Sequence, residues 1–246
     1  MFSVTPSLAL RIILWAVAAL FIGWQSARPE QSRPQRSAST PAASATPTPD
    51  ARIDRPTSEP YSGSLSIFED PKRAENLQID RVMDLLGIRQ GSAVADIGAG
   101  SGWFTVRAAQ RVGSNGTVYA VDINQEYVNH IKSRATKDGF NNIRPVLGKE
   151  DDPTLTANSV DSILILKTYH EFSKPINMLL AMRKAMRKDA LLGIIDKDGE
   201  GDDHGLNAEK VIEEAERAGL LLISQHDFVK PDRMDYFLIF RKTAAP

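Results

Sequence analysis

The chain has 246 residues, a length that suits one domain of ordinary size together with an additional segment. Its 30 basic residues nearly balance its 31 acidic residues, so the net charge does not indicate a nucleic-acid-binding surface and we expect no nucleic-acid partner. The absence of cysteine excludes disulfides, thiolate metal sites, cysteine nucleophiles and thiol-linked lipids.

The N-terminal region contains an apolar segment, LALRIILWAVAALFIGW, at residues 8–24. Its uninterrupted part, residues 12–24, is shorter than the roughly 17–25 residues of a helix that crosses a bilayer. That length is typical of the apolar core of a signal peptide. The cleavage pattern is incomplete, because Trp24 and Gln25 stand where small side chains are expected. A retained membrane anchor, with Arg11 reaching towards lipid head groups, is therefore the alternative.

Residues 28–60 consist mainly of Pro, Ser, Ala and Thr and contain almost no large apolar side chains. Such a segment cannot bury enough surface to offset the entropy that it would lose on ordering, so we predict a disordered linker. The sequence thus predicts three parts: a signal peptide or membrane anchor at 1–27, the linker at 28–60 and a globular domain at 61–246.

The charges around the apolar segment favour one topology. Only Arg11 and the terminal amine precede the uninterrupted apolar run, whereas Arg28, Arg33 and Arg36 follow it. Positive charges beside a membrane segment bias their own side towards the cytoplasm. We therefore expect a domain that is membrane-associated through residues 8–24 and faces the cytoplasm, with export to the periplasm as the alternative.

The globular part alternates short apolar runs with segments of helical spacing. Helices are predicted at 71–87, 102–113, 124–138, 174–187 and 207–219. Strands are predicted at 92–98, 116–123, 143–148, 159–167, 190–196, 220–229 and 235–242. This alternation predicts an α/β fold of the doubly wound, Rossmann-like type, with a mostly parallel seven-stranded sheet. The last two strands follow one another without a helix and predict an antiparallel hairpin at one edge of the sheet.

A glycine-rich turn follows the first predicted strand, in the stretch VADIGAGSGWFT. The dinucleotide-binding fingerprint is Gly-x-Gly-x-x-Gly or Ala. Gly98 and Gly100 match its first two glycines, but Trp103 stands at the third position and Gly102 comes one residue too early. A large side chain there obstructs the close helix–strand packing of that fingerprint. The turn is therefore poorly suited to a pyrophosphate.

The turn has the pattern Asp96-x-Gly98-x-Gly100-x-Gly102. The aspartate at the strand end repels a phosphate and attracts an amine, while backbone N–H groups at the start of the following helix attract a carboxylate. A ligand that carries both an ammonium and a carboxylate fits this pattern. The amino-acid end of S-adenosylmethionine is such a group.

A second acidic residue completes the pattern. The second predicted strand ends in Asp122, twenty positions after Gly102, where a carboxylate is placed to bind ribose hydroxyls. The glycine-rich turn and Asp122, in strand–turn–helix–strand order, indicate a cofactor site far more specifically together than either feature does alone.

The segment VADIGAGSGWFT…VYAVDI resembles the first two motifs of class I S-adenosylmethionine-dependent methyltransferases, and the resemblance covers residues 80–241. It is most similar to a bacterial, leader-bearing subgroup in which a Tyr-His pair follows the fourth strand. The resemblance implies seven strands with the last one antiparallel, and S-adenosylmethionine as cofactor. It also implies the following cofactor-binding residues: Asp96, Gly98, Ala99, Gly100, Ser101, Gly102, Asp122, Ile123 beside the adenine, and Glu150 or Asp151 at the adenine edge.

Two departures from the family pattern affect this assignment. The sequence Gly148-Lys149 replaces the usual Gly-Asp, which shifts the expected adenine contact to Glu150 or Asp151. The stretch RKDALLG replaces the usual Pro-Gly-Gly turn before the fifth strand, at a distance from the cofactor.

The stretch LKTYHEF, after the fourth strand, contains the candidate catalytic residues. His170 is a candidate general base, because an imidazole is partly neutral near pH 7. Tyr169 is a candidate for orienting or stacking on the methyl acceptor. The alternative for both is structural: Tyr169 packs against the next helix, and His170 caps or lines a loop.

We expect no metal site. Residues 196–207, DKDGEGDDHGLN, place Asp196, Asp198 and Glu200 at the first, third and fifth positions of a calcium loop. The twelfth position is Asn207 rather than the bidentate glutamate that closes such a loop. The stretch is interpreted as a flexible acidic loop beyond the fifth strand.

The sequence therefore predicts a methyltransferase that acts on a small-molecule or otherwise unidentified acceptor. The alternative from another class is a non-catalytic module that binds S-adenosylmethionine and is tethered at a membrane. A nicotinamide-dependent dehydrogenase is disfavoured by Asp96 and Trp103.

Overall fold

The structure is a computed structural model that describes residues 61, 63–200 and 204–243. The predicted signal peptide or anchor at 1–27 and the predicted linker at 28–60 lie outside the described residues. Among the residues that are described, no helix combines the length and apolar character needed to cross a bilayer.

The described part of the chain contains seven strands and six α-helices. The strands are β1 (Ala93–Ile97), β2 (Thr117–Asp122), β3 (Ile143–Leu147), β4 (Val160–Leu166), β5 (Met186–Lys197), β6 (Leu220–His226) and β7 (Asp235–Lys242). The helices are α1 (Arg73–Asn76), α2 (Ile79–Leu85), α3 (Trp103–Val112), α4 (Gln125–Lys137), α5 (Pro175–Ala185) and α6 (Ala208–Arg217). Short 3-10 helices occur at Leu65–Glu69 and Tyr169–Glu171.

All seven strands form one sheet in the order β3-β2-β1-β4-β5-β7-β6. The strands β1 to β5 pair in parallel, while β7 pairs antiparallel with both β5 and β6. The doubly wound α/β fold predicted from the sequence is therefore confirmed, with the β6–β7 pair forming one side of the sheet and the last strand in the chain running antiparallel.

The core has two halves because alternate residues of a strand point to opposite faces of the sheet. Ala95 and Ile97 belong to the cluster that also contains residues of α5 and α6. Val94 belongs to the cluster that contains residues of α2, α3 and α4. All five residues of β1 are buried, as expected for a central parallel strand that is covered on both faces.

Helix boundaries follow from local chemistry at several positions. The side chain of Asn124 accepts a hydrogen bond from the backbone N–H of Glu126 at 2.8 Å and caps α4. Asn207 caps α6 in the same way through Glu209, at 3.0 Å. Gly113, with φ of 65°, ends α3.

The first predicted helix, 71–87, is in fact two helices. Gln78 has φ of 46° and separates α1 from α2, and its side chain donates a hydrogen bond to the carbonyl of Phe228 at 3.2 Å. A left-handed residue cannot continue a right-handed helix. The contact partner is 150 positions away in the chain, so helical spacing alone cannot reveal the break.

Two strands differ from the prediction by more than one residue at an end. The fifth strand begins at Met186 rather than at residue 190, because α5 runs directly into it and the pairing with β4 contains an irregularity after Val160. The sixth strand ends at His226 rather than at residue 229.

The topology places the carboxyl ends of the five parallel strands, β1 to β5, at one edge of the sheet. The chain proceeds from β1 through β2 to β3 on one side and from β4 to β5 on the other. The strand order therefore reverses between β1 and β4, and ligands of doubly wound proteins bind outside the carboxyl ends of the strands at such a point.

Candidate active site

Residues 98–102 form the turn between β1 and α3. Gly98, Gly100 and Gly102 have φ values of 73°, 53° and 77°, in the left-handed region that favours glycine. The backbone N–H groups of Gly98 and Ala99 donate to the carbonyl of Val121 at 2.9 and 3.0 Å. No side chain caps the start of α3 at Gly102. The first N–H groups of α3 therefore suit a carboxylate.

The carboxylate of Asp122 connects the end of β2 to this turn. Its Oδ2 accepts a hydrogen bond from the N–H of Gly100 at 2.8 Å, and its Oδ1 accepts one from the N–H of Asn124 at 2.9 Å. Burial raises the pKa of Asp122, and these two hydrogen bonds oppose that rise. A carboxylate has about four lone-pair sites, so two bonds leave capacity for ribose hydroxyls.

Asp96 lies beneath the turn, near the end of β1, with 2% of its surface exposed. The Thr105 hydroxyl donates to its Oδ2 at 2.6 Å. Burial raises the pKa of Asp96 to about 6, against the effect of this hydrogen bond and of the charge on Arg73. Asp96 is thus a buried acid whose ionised form a nearby cation stabilises.

The residues before α1 lie across the turn, and we call residues 64–69 the covering segment. A Cβ atom on Gly100 would lie 3.7 Å from the Phe68 ring. Tyr61 packs edge-on against Phe68, with 5.5 Å between the ring centroids, and the Tyr127 hydroxyl donates to the Tyr61 carbonyl at 2.6 Å. The covering segment is thereby held against both the turn and α4.

Polar contacts fix the end of the covering segment. The Ser101 hydroxyl donates to Glu69 at 2.7 Å, and Arg134 donates to the same carboxylate at 2.6 Å and to the Ser101 carbonyl at 3.0 Å. Burial disfavours the ionised form of Glu69, but the hydrogen bonds from Arg134 and Ser101 outweigh this effect. The pKa of Glu69 therefore lies below its usual range. The side chain of Ser101, a predicted cofactor-binding residue, is therefore already engaged within the protein.

Trp103 does not point into the site. It is 2% exposed and lies between two guanidinium groups, those of Arg73 at 4.6 Å and Arg107 at 3.9 Å from its ring centroid. These cation–π contacts occupy the ring at the start of α3. The third-glycine position of the dinucleotide fingerprint is thus filled by a packed aromatic side chain.

The predicted adenine contacts lie beyond Asp122. Ile123 is 46% exposed, although the residue before it is buried. Glu150 is exposed in a turn closed by the pairing of Lys149 with Asp152. Asp151 is half-buried and accepts a hydrogen bond from Lys174 at 3.3 Å. Of the two acids considered from the sequence, Glu150 has the more accessible side chain.

His170 lies beyond β4, with 3% of its surface exposed, and pairs with Asp196 near the end of β5. Its Nδ1 lies 2.9 and 3.0 Å from the two carboxylate oxygens, and its backbone N–H donates to the same carboxylate at 3.1 Å. An ionised carboxylate can only accept, so in the neutral form of the imidazole Nδ1 carries the proton and Nε2 has the lone pair. This arrangement suits a proton acceptor held in one tautomer.

Thr168 links this segment to the glycine turn. A Cβ atom on Gly98 would lie only 2.4 to 2.8 Å from Thr168 side-chain atoms, closer than real contacts allow. Burial raises the pKa of Glu171, and the charge of Asp122 adds to that effect. The segment 168–171 therefore adjoins the turn, and His170 lies beside the predicted cofactor site.

Tyr169 has a different environment from its neighbour. It has no exposed surface, packs against Phe172 at 5.3 Å between ring centroids, and donates its hydroxyl to Glu214 of α6 at 2.7 Å. We therefore correct its assignment from acceptor contact to core packing, since a side chain buried towards α6 cannot stack on a ligand at the sheet edge.

Two shallow, open clefts lie away from the glycine turn. One is lined by residues of β7 and the start of α6, including Asp235 and Ala208, and the other by α2 and α3, including Met83 and Arg107. Neither contains a residue of the turn or the His170–Asp196 pair. The ends of the parallel strands, the glycine turn and the His170–Asp196 pair mark the candidate active site, at a different place from both clefts.

Sequence reasoning missed four residues of this site: Glu69, Thr105, Thr168 and Asp196. Asp196 had a usable signal, because it is an acid at the carboxyl end of the strand predicted at 190–196. It was considered only as the first residue of a calcium loop. Thr105 is the third residue of α3 and Thr168 lies two positions after the end of β4, but a lone threonine carries no specific signal. Glu69 belongs to a segment without a recognisable motif.

Comparisons with known proteins agree with this geometry. Residues 88–227 match the family described as "Methyltransferase domain". Over 114 residues the chain is 29% identical to the nocamycin O-methyltransferase of Saccharothrix syringae, covering 46% of this chain and 41% of the relative. Over 84 residues it is 33% identical to the ubiquinone/menaquinone biosynthesis C-methyltransferase UbiE of Hydrogenovibrio crunogenus, covering 34% and 33%. The chain thus spans less than half the length of these two relatives.

A solved structure is similar over a larger part. The crystal structure of a SAM-dependent methyltransferase from Aquifex aeolicus has a TM-score of 0.66 and 26% sequence identity, covering 72% of this chain and 95% of that protein. The family match includes β1, the glycine turn, β2 and the His170 segment. The chain therefore belongs to the methyltransferase domain family, with a domain of the class I type that uses S-adenosylmethionine.

Proposed function

We propose that this protein transfers the methyl group of S-adenosylmethionine to a small organic acceptor, at an oxygen or carbon atom that must lose a proton. The observation that carries the proposal is the buried His170–Asp196 pair beside the glycine turn. The names of the two relatives, an O-methyltransferase and a C-methyltransferase, support acceptor atoms of these two kinds.

The donor is assigned to the β1–β2 side of the site. Asp96 attracts the ammonium, the first N–H groups of α3 bind the carboxylate, and Asp122 accepts hydrogen bonds from the ribose hydroxyls. Ile123 offers an apolar surface to the adenine, and Glu150 lies within the loop that borders it. Bound in this way, the sulfonium supplies an electrophilic methyl carbon.

The acceptor is assigned to the β4–β5 side. The acceptor atom forms a bond to the methyl carbon while the carbon–sulfur bond breaks, and the bonding electrons remain on sulfur. His170 Nε2 receives the acceptor proton, and the Asp196 carboxylate stabilises the imidazolium that results. S-adenosylhomocysteine and the methylated acceptor are the products.

We also propose that residues 8–24 attach the domain to a membrane with the domain in the cytoplasm. These residues lie outside the described part, so the support is the apolar sequence and the arginines that follow it. S-adenosylmethionine is a product of cytoplasmic metabolism, which agrees with this side. Export is the alternative.

The first prediction concerns the ribose contact. Asp122→Ala removes a carboxylate that accepts charge-assisted hydrogen bonds, so we expect S-adenosylhomocysteine to bind about 1.5–3 kcal/mol more weakly in calorimetry. Asp189→Asn, at an exposed position in the amino-terminal part of β5, is the control and should bind normally. Unchanged affinity in a folded Asp122→Ala protein would refute the assignment.

The second prediction concerns pH. Because the pKa of Asp96 is about 6, the free protein binds a proton there below pH 6, and that proton must leave before the carboxylate can pair with the ligand ammonium. Affinity for S-adenosylhomocysteine should therefore fall as pH drops from 7 to 5, by up to about tenfold per unit. The ligand amine stays protonated over this range.

The matched variant for this prediction is Asp96→Asn, which cannot titrate. It should bind more weakly at pH 7 and show a smaller pH slope than the parent. An equal slope in both proteins would exclude Asp96 as the ammonium partner.

The third prediction concerns proton transfer. His170→Ala should lower turnover by about 10²–10⁴-fold while the affinity for S-adenosylhomocysteine stays unchanged. The assay offers a phenol, a hydroquinone and a β-diketone as acceptors and measures S-adenosylhomocysteine formed. His130→Ala, at an exposed position on α4, is the control. Parallel loss of thermal stability and activity in His170→Ala would instead indicate a structural histidine.

The fourth prediction concerns topology. A C-terminal fusion to a reporter active only in the cytoplasm should be active, and a fusion to one active only after export should be inactive. Activity of the exported reporter alone, together with a mature N-terminus near residue 28, would contradict the cytoplasmic assignment.

A further inference from the structure

Three side chains with metal-binding donor atoms lie close together on the β4–β5 side of the site, to which the methyl acceptor is assigned. Ligand atoms of His170, Glu171 and His204 all lie within 4.8 Å of one another. His170 Nε2 and Glu171 Oε1 are 3.8 Å apart, and the two imidazole rings lie edge-on with centroids 5.9 Å apart. His170 is buried, Glu171 is half-buried and His204 is exposed, so the cluster extends from the interior to the surface.

A carboxylate behind the cluster fixes the most buried donor. Asp196 accepts from His170 Nδ1 at 2.9 Å and from the His170 backbone N–H at 3.1 Å. This leaves the Nε2 lone pair on the side of Glu171. Histidines that bind metal ions generally donate their other ring N–H to a carboxylate or carbonyl in this way, which sets the tautomer and increases the basicity of the ligand nitrogen.

We infer that His170, Glu171 and His204 form a binding site for a divalent transition-metal ion of the zinc class. Two imidazole nitrogens and one carboxylate oxygen are a zinc ligand set with a fourth position open, whereas magnesium and calcium prefer all-oxygen sites. At bond lengths of about 2.0–2.1 Å, tetrahedral ligand atoms lie about 3.4 Å apart. The His170–Glu171 separation of 3.8 Å is close to that value.

The third ligand, His204, is the exposed one. His204 lies 33 positions after Glu171, on the segment between β5 and α6, with φ of 57°. Its ligand atom already lies within 4.8 Å of those of the other two residues. The sequence analysis expects no metal site, and the inferred site takes its ligands from two separate segments, residues 170–171 and residue 204.

The site has a consequence that rests on the proposed function. The metal ion would occupy Nε2 of His170, the same lone pair that receives the acceptor proton. Metal binding and proton transfer therefore exclude one another, and a zinc-class ion acts as an inhibitor of methyl transfer.

Calorimetry with Zn²⁺ on the full chain, stripped with a chelator and free of cofactor and acceptor, tests the site. His204→Ala and Glu171→Gln should each weaken Zn²⁺ binding by more than about tenfold, whereas His130→Ala should bind like the parent. Visible absorption of the Co²⁺ complex provides a second measurement, because its intensity should fall to that of the hydrated ion in both site variants. Thermal melting confirms that each variant is folded.

The outcomes separate this inference from the proposed function. Absence of one-to-one Zn²⁺ binding, or equal affinity in the parent and both site variants, overturns the metal site and leaves the methyl-transfer assay unaffected. Zn²⁺ binding with the expected loss in both variants supports the site even if none of the offered acceptors is methylated. Zn²⁺ inhibition of turnover that is weaker in His204→Ala than in the parent supports the competition, and equal inhibition contradicts it.

Discussion

The two hydrogen bonds accepted by Asp122 are the constraint on which the cofactor side of this domain depends. One holds the N–H of Gly100 and the other holds the N–H of Asn124, so a single carboxylate ties the end of β2 to the glycine turn and to the start of α4. Burial disfavours the ionised form, and these two bonds stabilise it. The turn is therefore shaped by the same group that, in the proposed function, meets the ribose.

The sequence predicted the parts of the fold that local pattern determines. Buried strands appear in the sequence as short apolar runs. Asn124 and Asn207 correctly predict the starts of the helices that they cap. The break at Gln78 was missed because it depends on a distant carbonyl. The pairing of His170 with Asp196 was missed because the two residues are 26 positions apart in the chain. Their contact follows only when β4 and β5 are known to be neighbouring strands.

Tyr169 and His170 show where sequence reasoning stops. Both follow β4, and both carry groups that suit a site, so composition cannot separate them. The short 3-10 helix Tyr169–Glu171 turns successive side chains in different directions. Tyr169 enters the core and meets Glu214, while His170 meets Asp196 at the sheet edge. The path of the backbone therefore determines that Tyr169 packs in the core and that His170 lies in the site.

The contact between Gly98 and Thr168 joins the two sides of the site. Gly98 belongs to the turn after β1, and Thr168 follows β4, the strand that pairs with β1 on its other side. The Cβ atom of any other residue at position 98 would overlap the Thr168 side chain. Gly98 therefore does more than permit a left-handed turn, because its missing side chain lets the segment that carries His170 lie against the turn. In-line methyl transfer demands a fixed distance between donor and acceptor, and in the proposed function the contact between Gly98 and the Thr168 side chain sets it.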